Sequence, residues 1–254
     1  LEQATDTAGL KKDGFTISTR GNMTTVTGND GNGVIYGCRE LIDHVGQYKD
    51  LKFPAQLTDA PEMVLRGGCV GIQKMEYLPG RGVYEYPYTP ESFPWFYDKE
   101  QWIKYLDMLV ENRMNSLYLW NGHPFASLVK LEEYPFAVEV DEETFKKNEE
   151  MFSFLTAEAD KRGIFVIQMF YNILLSKPFA EHYGLKTQDR NRPITPLISD
   201  YTRKSVAAFI EKYPNVGLLV CLGEAMDTYE DDVEWFTKTI IPGVKDGLKA
   251  LGRT

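Results

Sequence analysis

Residues 111–125, ENRMNSLYLWNGHPF, contain the pattern that decides the fold. The short polar joint ENRMN follows an amphipathic segment, and the apolar run Ser116–Trp120 comes next, before the polar turn NGH. The joints DKRG and KYPN also lie between an amphipathic segment and an apolar run. Apolar runs without alternation are typical of strands buried on both faces of a parallel sheet. The pattern therefore predicts repeated β/α units.

The predicted strands and helices alternate along the chain from residue 64 onward. The apolar runs recur about every fifty residues, because the loops that follow them are long. The loops Gln73–Asp98 and Tyr171–Tyr201 are the longest and are rich in aromatic residues. The predicted strands are Val64–Ile72, Ser116–Trp120, Ile164–Phe170 and Val216–Leu222, and the predicted helices are Lys99–Arg113, Glu143–Arg162, Thr202–Lys212 and Val233–Leu251.

Short joints at one end and long loops at the other are typical of a parallel sheet whose site lies at the carboxyl ends of its strands. A (β/α)8 barrel and an open doubly wound sheet both fit, but no glycine-rich phosphate motif follows a strand, which favours the barrel. Four β/α units use about 190 residues here, whereas a complete TIM-type barrel has eight units. We therefore expect the first four units of a barrel. A stand-alone four-stranded sheet and a partner that supplies the second half are the alternatives.

Residues 1–47 predict part of a small α+β domain. The segments Gly14–Ser18 and Met23–Thr27 flank a Gly-Asn turn and predict a hairpin, and helical periodicity follows. Residues 48–61, which contain two prolines, predict an extended linker. The partial barrel is then expected over residues 62–254.

Composition and charge narrow the classes of function. A chain of 254 residues with 43% hydrophobic residues predicts a packed globular protein. Its net charge of −9 argues against a nucleic-acid or anionic membrane surface. No apolar run reaches the roughly 18 residues that a membrane span needs, and no motif indicates a cofactor or a metal site. The cysteines Cys38, Cys69 and Cys221 lie in apolar runs and predict buried thiols.

Aromatic, amide and acidic side chains follow the predicted strand ends, as a sugar site requires. Glu224 comes two residues after the apolar run that ends at Leu222, and this run would desolvate its carboxyl group and raise its pKa, as a general acid needs. A solvated strand end is the alternative. Arg190 and Arg192 in KTQDRNRP are expected to bind a sugar carboxylate, with a solvated loop as the alternative. The other candidates for substrate binding are Trp120, Asn121, His123, Tyr171 and Asn172.

A purely structural role stays open for two of these residues. His123 in WNGHPF is as compatible with a structural hydrogen bond as with a sugar contact. Trp120 is compatible with a core position and with a stacking platform.

The first seventy residues or so resemble a known arrangement, the end of the small α+β domain that precedes the catalytic barrel in β-N-acetylhexosaminidases and α-glucuronidases. In those families a pattern T-G-x-D-x-x-G-x-x-Y-G-x-x-x-L leads, through a linker that ends in proline, to a first strand that begins R-G. The matching residues are Thr27, Gly28, Asp30, Gly33, Tyr36, Gly37, Leu41, Pro61, Arg66 and Gly67.

The resemblance implies that Arg66 reaches a sugar hydroxyl and that Glu224, after strand four, is the general acid. Hexosaminidases of this type place an aspartate before that glutamate, whereas Gly223 stands here, so the resemblance favours an α-glucuronidase-like general acid with a base outside this chain. It also implies a periplasmic or secreted protein. The leading hypothesis is a glycoside hydrolase, or a fragment of one, acting on polysaccharide or oligosaccharide. A β-N-acetylhexosaminidase-like enzyme and a non-catalytic carbohydrate-binding protein are the alternatives.

Overall fold

The computed structural model describes residues 9–53, 56–78, 82–171, 174–189, 191–222, 226 and 228–254. The chain divides into two compact units, and the division is not a single cut along the sequence. The first unit comprises the chain up to Gly68 together with Ile103–Ser116 and Ala159–Ile164, and the second comprises Cys69–Trp102, Leu117–Glu158 and Phe165–Thr254.

The first unit is built on a three-stranded antiparallel sheet in the order β2-β1-β3. Its core is formed by Phe15, Ile17 and Tyr36, which are buried. The predicted hairpin and the helix after it are confirmed, whereas a short third strand lies in the segment predicted as a linker. The elements are β1 (Phe15–Arg20), β2 (Met23–Gly28), α1 (Gly31–Tyr48) and β3 (Leu57–Asp59).

Asp30 and Gly33 of the resemblance motif lie at the start of α1. Asp30 is the N-cap, and its carboxylate accepts hydrogen bonds from the N–H groups of Gly33 and Asp13, both at 2.9 Å. A Cβ atom on Gly33 would lie 2.2 Å from the carbonyl oxygen of Gly14, so only glycine fits there. The hydroxyl of Tyr36 donates to the carbonyl of Met114 at 3.2 Å. The motif therefore has a structural function in this unit.

The second unit contains most residues of a parallel sheet, whose four strands are in the order β4-β7-β8-β9, together with helices. Strands β8 and β9 pair in parallel, from Val166 opposite Val216 to Tyr171 opposite Cys221. A two-stranded antiparallel hairpin, β5-β6, follows the first parallel strand within a segment predicted as loop. The strands are β4 (Gly67–Gly71), β5 (Met75–Leu78), β6 (Gly82–Glu85), β7 (Ser116–Trp120), β8 (Phe165–Tyr171) and β9 (Val216–Cys221).

The helices follow the predicted strand-to-helix alternation. Short polar caps begin several of them; Thr195, for example, accepts a hydrogen bond from the N–H of Ile198 and is followed by a proline in the first turn. A π-helical segment, Phe236–Ile240, interrupts the last predicted helix just before Pro242, which has no N–H to donate. The α-helices are α2 (Lys99–Glu111), α3 (Phe125–Leu128), α4 (Glu142–Lys161), α5 (Lys177–His182), α6 (Pro196–Lys212), α7 (Tyr229–Trp235) and α8 (Ile241–Ala250).

Helices cover one face of the parallel sheet. Leu117 and Leu119 on β7 are fully buried, and Phe170 on β8 packs on Phe125 of α3 with ring centroids 4.9 Å apart. Phe125 in turn contacts Phe209 of α6 at 5.6 Å. Because side chains alternate along a strand, the half-buried residues between these positions lie on the opposite face.

The prediction of buried thiols is wrong for two of the three cysteines. Cys38 is exposed because it lies beside Tyr36 and Gly37, the residues that α1 turns toward its sheet. Cys69 is exposed on β4, the edge strand of the described sheet, and Cys221 is half-buried. No helix in the described ranges is both long and apolar enough to cross a membrane.

Candidate functional site

Trp120 and Tyr171 form an aromatic pair at the carboxyl ends of two neighbouring strands. Trp120 is the last residue of β7 and Tyr171 the last of β8, and their ring centroids lie 5.1 Å apart at an interplanar angle of 64°. Both residues are half-buried. They are on the face of the sheet opposite Leu119 and Phe170, as alternation requires. The structure thus brings together two of the residues predicted to contact a sugar.

The turn after β7 is held by the side chain of Asn121. Its Nδ2 donates to the carbonyl of Ile72 at 2.8 Å, and its Oδ1 accepts the N–H of His123 at 2.9 Å. Asn121 is 1% exposed. This geometry favours a structural role for Asn121, and its predicted contact with a sugar stays a prediction.

His123 is a neutral hydrogen-bonding group in this structure. Its Nε2 lies 2.9 Å from the hydroxyl oxygen of Tyr201, and its ring packs edge-on against Phe125. Burial lowers the pKa of His123 to about 3, because the imidazolium ion would lose its hydration. A neutral imidazole supplies no charge to a sugar carboxylate, so the structural interpretation of His123 is favoured.

Arg66 directly precedes β4 and therefore lies at the amino end of that strand. Its Nη2 donates to the buried carboxylate of Asp13 at 2.8 Å, and its Nε donates to the carbonyl of Arg113 at 2.9 Å. Its Nη1 donates to the carbonyl of Met63 at 2.7 Å. All three guanidinium nitrogens thus have protein acceptors, which favours a structural role over the implied contact with a sugar hydroxyl. That contact stays a prediction.

Arg192 lies in the segment between α5 and α6. Arg192 donates to the carbonyl of Lys186, and its backbone N–H donates to the carbonyl of Asp189 at 3.1 Å, so the basic loop folds on itself. Burial lowers the pKa of Arg192. Glu224, Asn172 and Arg190 lie outside the described residues.

Glu85 is a buried carboxyl group that the sequence reasoning missed. It is the last residue of β6 and is 7% exposed, and its Oε1 accepts the N–H of Gly122 at 3.0 Å. Burial raises its pKa, while the Gly122 N–H and the nearby Gln73 amide act in the opposite direction. No side chain in the described ranges reaches hydrogen-bond geometry with Oε2. An acid among tyrosines, in GVYEYPY, was its only signal in the sequence.

Glu139 is a second half-buried carboxyl group that was missed. It accepts the backbone N–H of Lys177 and, at 3.5 Å, the hydroxyl of Tyr84. Burial raises the pKa of Glu139 to about 7, although the two hydrogen bonds and the charge of Lys177 favour ionisation. The ammonium group of Lys177 lies 5.3 Å from the centroid of the Tyr84 ring. Within the part of the chain that the structure describes, no group of three or more His, Cys, Asp or Glu side chains is suited to a metal ion.

Comparisons with known proteins found solved structures of similar fold. No protein-family model and no curated protein matches the chain. A glycoside hydrolase family 20 β-N-acetylglucosaminidase is 15% identical, with a TM-score of 0.57 over 96% of this chain and 54% of its own. A mutant β-hexosaminidase of Streptomyces plicatus in complex with its product is 13% identical, with a TM-score of 0.60 over 95% of this chain and 51% of its own. At such identities the likeness is one of fold alone.

One solved structure is similar in sequence as well. It is a GH138 enzyme targeting the pectin rhamnogalacturonan II, 80% identical to this chain with a TM-score of 0.92. The match covers 99% of this chain and 29% of that enzyme's chain. The present sequence therefore spans somewhat less than a third of the enzyme that it matches.

Proposed function

We propose that this chain is part of a glycoside hydrolase that acts on the pectin polysaccharide rhamnogalacturonan II. The observation that carries the proposal is the 80% identity to the GH138 enzyme over 99% of this chain. At that identity, most side chains of a shared site are the same. The activity is proposed for the longer protein, because the match covers only 29% of the enzyme.

The fold proposed for that protein is a (β/α)8 barrel to which this chain contributes the first four β/α units. The parallel order β4-β7-β8-β9 and the short joints before the strands support it. In such barrels the substrate binds at the carboxyl ends of the strands. The remaining units would come from the part of the protein outside this chain.

The aromatic pair Trp120–Tyr171 would bind the sugar. Aromatic rings stack on the C–H faces of pyranose rings, and a half-exposed pair at two strand ends offers such a surface. This contact would supply affinity and orientation, while the bond-breaking groups lie elsewhere on the same set of strand ends.

Glu224 would protonate the glycosidic oxygen of the leaving group. It follows the end of β9 by three residues, and β9 pairs directly with β8, which ends in Tyr171. A general acid needs a second carboxylate, as base or nucleophile, across the scissile bond. That group is proposed to lie in the later units. The finer α-glucuronidase-like form of the proposal rests on Gly223 and on the arginines of the basic loop; none of the structures compared above bears that name.

Sugar release from purified rhamnogalacturonan II by the full-length protein tests the proposal, with products identified by mass spectrometry. We expect release by the wild type and by the control variant Glu100→Gln, which alters an exposed glutamate of α2. The variant Glu224→Gln should lose roughly 100-fold or more of the rate, the usual contribution of a general acid. Absence of release by the wild type would overturn the proposal. Binding without release would favour the non-catalytic carbohydrate-binding alternative.

A further inference from the structure

We infer that Glu85 is a positioning residue, which holds the turn after β7 and thereby sets the arrangement of Trp120 and Tyr171. The inference deepens the proposed function and rests on it for the identity of the ligand. Its basis is the hydrogen-bond chain from Glu85 through Gly122 to β8.

The parallel hydrogen-bond ladder between β4 and β7 is diverted at this point. The N–H of Ile72 donates to the carbonyl of Trp120 at 2.9 Å, and in a continuing parallel ladder the N–H of Gly122 would donate back to the carbonyl of Ile72. The side chain of Asn121 occupies that carbonyl instead. Gly122 would therefore have an unpaired, buried N–H without the carboxylate of Glu85, which accepts it at 3.0 Å.

The same peptide group is tied to Tyr171. The carbonyl of Gly122 accepts the N–H of Tyr171 at 3.0 Å, so one residue lies between the Glu85 carboxylate and the backbone of the aromatic pair. Trp120 precedes Gly122 by two residues. A shift of Gly122 thus moves both backbone segments that carry the rings.

Close packing keeps the carboxylate in this place. A Cβ atom on Gly122 would lie 2.8 Å from Oε2 of Glu85 and 2.5 Å from Cδ1 of Leu174, so any other residue would displace the ends of these side chains. Glu85 and Leu174 are 7% and 4% exposed. This cover prevents Glu85 from touching a sugar directly, which is why it positions other residues and is not itself catalytic.

A buried carboxyl group with one unsatisfied oxygen is costly to the fold. The second oxygen has no hydrogen-bond partner in the described ranges, and burial raises the pKa of Glu85. An apolar side chain at this position would avoid the cost but would leave the Gly122 N–H unpaired. The presence of a carboxyl group at this buried position is therefore explained by its hydrogen bond to the turn after β7.

Full-length variants of Glu85 test the inference. Glu85→Gln keeps an oxygen that accepts the Gly122 N–H, and KM for rhamnogalacturonan II oligosaccharides should stay within about twofold of the wild type. Glu85→Ala should raise KM roughly ten- to a hundredfold with a much smaller change in kcat, since the aromatic pair contributes binding in both the ground and transition states. Glu85→Asp, which is one methylene shorter, replaces alanine if that variant does not fold. Glu91→Ala, an exposed residue of the following loop, is the matched control.

Hydrogen exchange measured by mass spectrometry separates this inference from the proposed function. The peptide spanning residues 116–125 should exchange faster in Glu85→Ala than in the wild type, Glu85→Gln and Glu91→Ala, without any substrate. Unchanged exchange, or a lowered melting temperature with unchanged KM, would overturn the positioning role. If the wild type released no sugar, the proposed function would fall, while the exchange result would still decide the role of Glu85.

Discussion

Replacing Glu139 by glutamine is expected to remove the loss of stability that accompanies ionisation of this residue near pH 7. Glu139 accepts the N–H of Lys177 and the hydroxyl of Tyr84. Burial is the largest influence on its pKa, which is raised from 4.5 to about 7, and the exposed neighbour Glu181 raises it further. Glutamine cannot ionise. Its amide oxygen can accept the N–H of Lys177, and its NH2 group can donate to the hydroxyl oxygen of Tyr84.

The sign follows from where the proton is held more tightly. The folded protein binds the proton of Glu139 more strongly than the unfolded chain, so the stabilisation is fully present below about pH 4.5 and is lost as the pH rises through about 7. A shift from 4.5 to about 7 corresponds to at most about 3 kcal/mol, at about 1.4 kcal/mol for each pKa unit. Partial solvation of the half-buried carboxyl group reduces this upper value.

Urea unfolding at about pH 5 and about pH 8.5 measures the effect. The free energy of unfolding should fall more between these two values for the wild type than for Glu139→Gln, by roughly 1–3 kcal/mol. Glu132→Gln is the matched control, because it removes an exposed carboxylate while leaving the groups around Glu139 in place, and it should behave as the wild type. Equal pH dependence in the wild type and Glu139→Gln would refute the assignment of a raised pKa to this residue.

Three further variants address other parts of the site. The wild type should lose up to about 4 kcal/mol of stability between about pH 6.5 and about pH 3, because the folded protein disfavours the imidazolium ion of His123. His123→Asn should lose less stability over this range, which the midpoints of acid unfolding measure. Unchanged midpoints would contradict the lowered pKa of His123. Arg66→Ala should lower the free energy of unfolding by about 3 kcal/mol without a change in KM, because it removes the ion-pair partner of the buried Asp13 carboxylate, which keeps its hydrogen bond from Asn115. Normal stability with a raised KM would restore the predicted sugar contact. Trp120→Ala should weaken oligosaccharide binding roughly tenfold, as measured by calorimetry. Unchanged affinity would show that Trp120 does not bind the sugar.

The larger elements of the fold were predictable because their hydrophobic patterns are long. The strand Ser116–Trp120 was predicted with the observed limits, and α2 differs from its prediction by two residues at one end. The short joints indicated where the strands begin, because only a few polar residues separate one apolar pattern from the next. The ends of such elements are where the observed and predicted limits differ.

Short elements that depend on distant partners were not predictable. Strand β3 has three residues and exists because β1 offers an edge to pair with, so its segment looked like a linker. The hairpin β5-β6 lies in a segment rich in aromatic residues without a clear alternation. Local periodicity contains no information about such partners.

The candidate site shows the same limit. Trp120 and Tyr171 were found because both end predicted strands, and parallel strands bring their carboxyl ends together. Glu85 reaches this place through a hydrogen bond to a residue 37 positions later, which no spacing rule detects. Arg66 was matched by motif, but its acceptors come from the residues packed around it. Residue type and strand position predicted which residues lie at the carboxyl ends of the strands, whereas the role of each residue follows from its hydrogen bonds.

The most direct test of the proposed mechanism compares two leaving groups in the variant Glu224→Gln. The full-length protein is assayed on its natural glycosidic linkage, whose oxygen needs a proton to depart, and on a dinitrophenyl glycoside of the same sugar, whose leaving group does not. We expect a rate loss of roughly 100-fold or more on the natural linkage and little loss on the activated one. Equal losses on both substrates, or none on either, would contradict the role of Glu224 as the general acid.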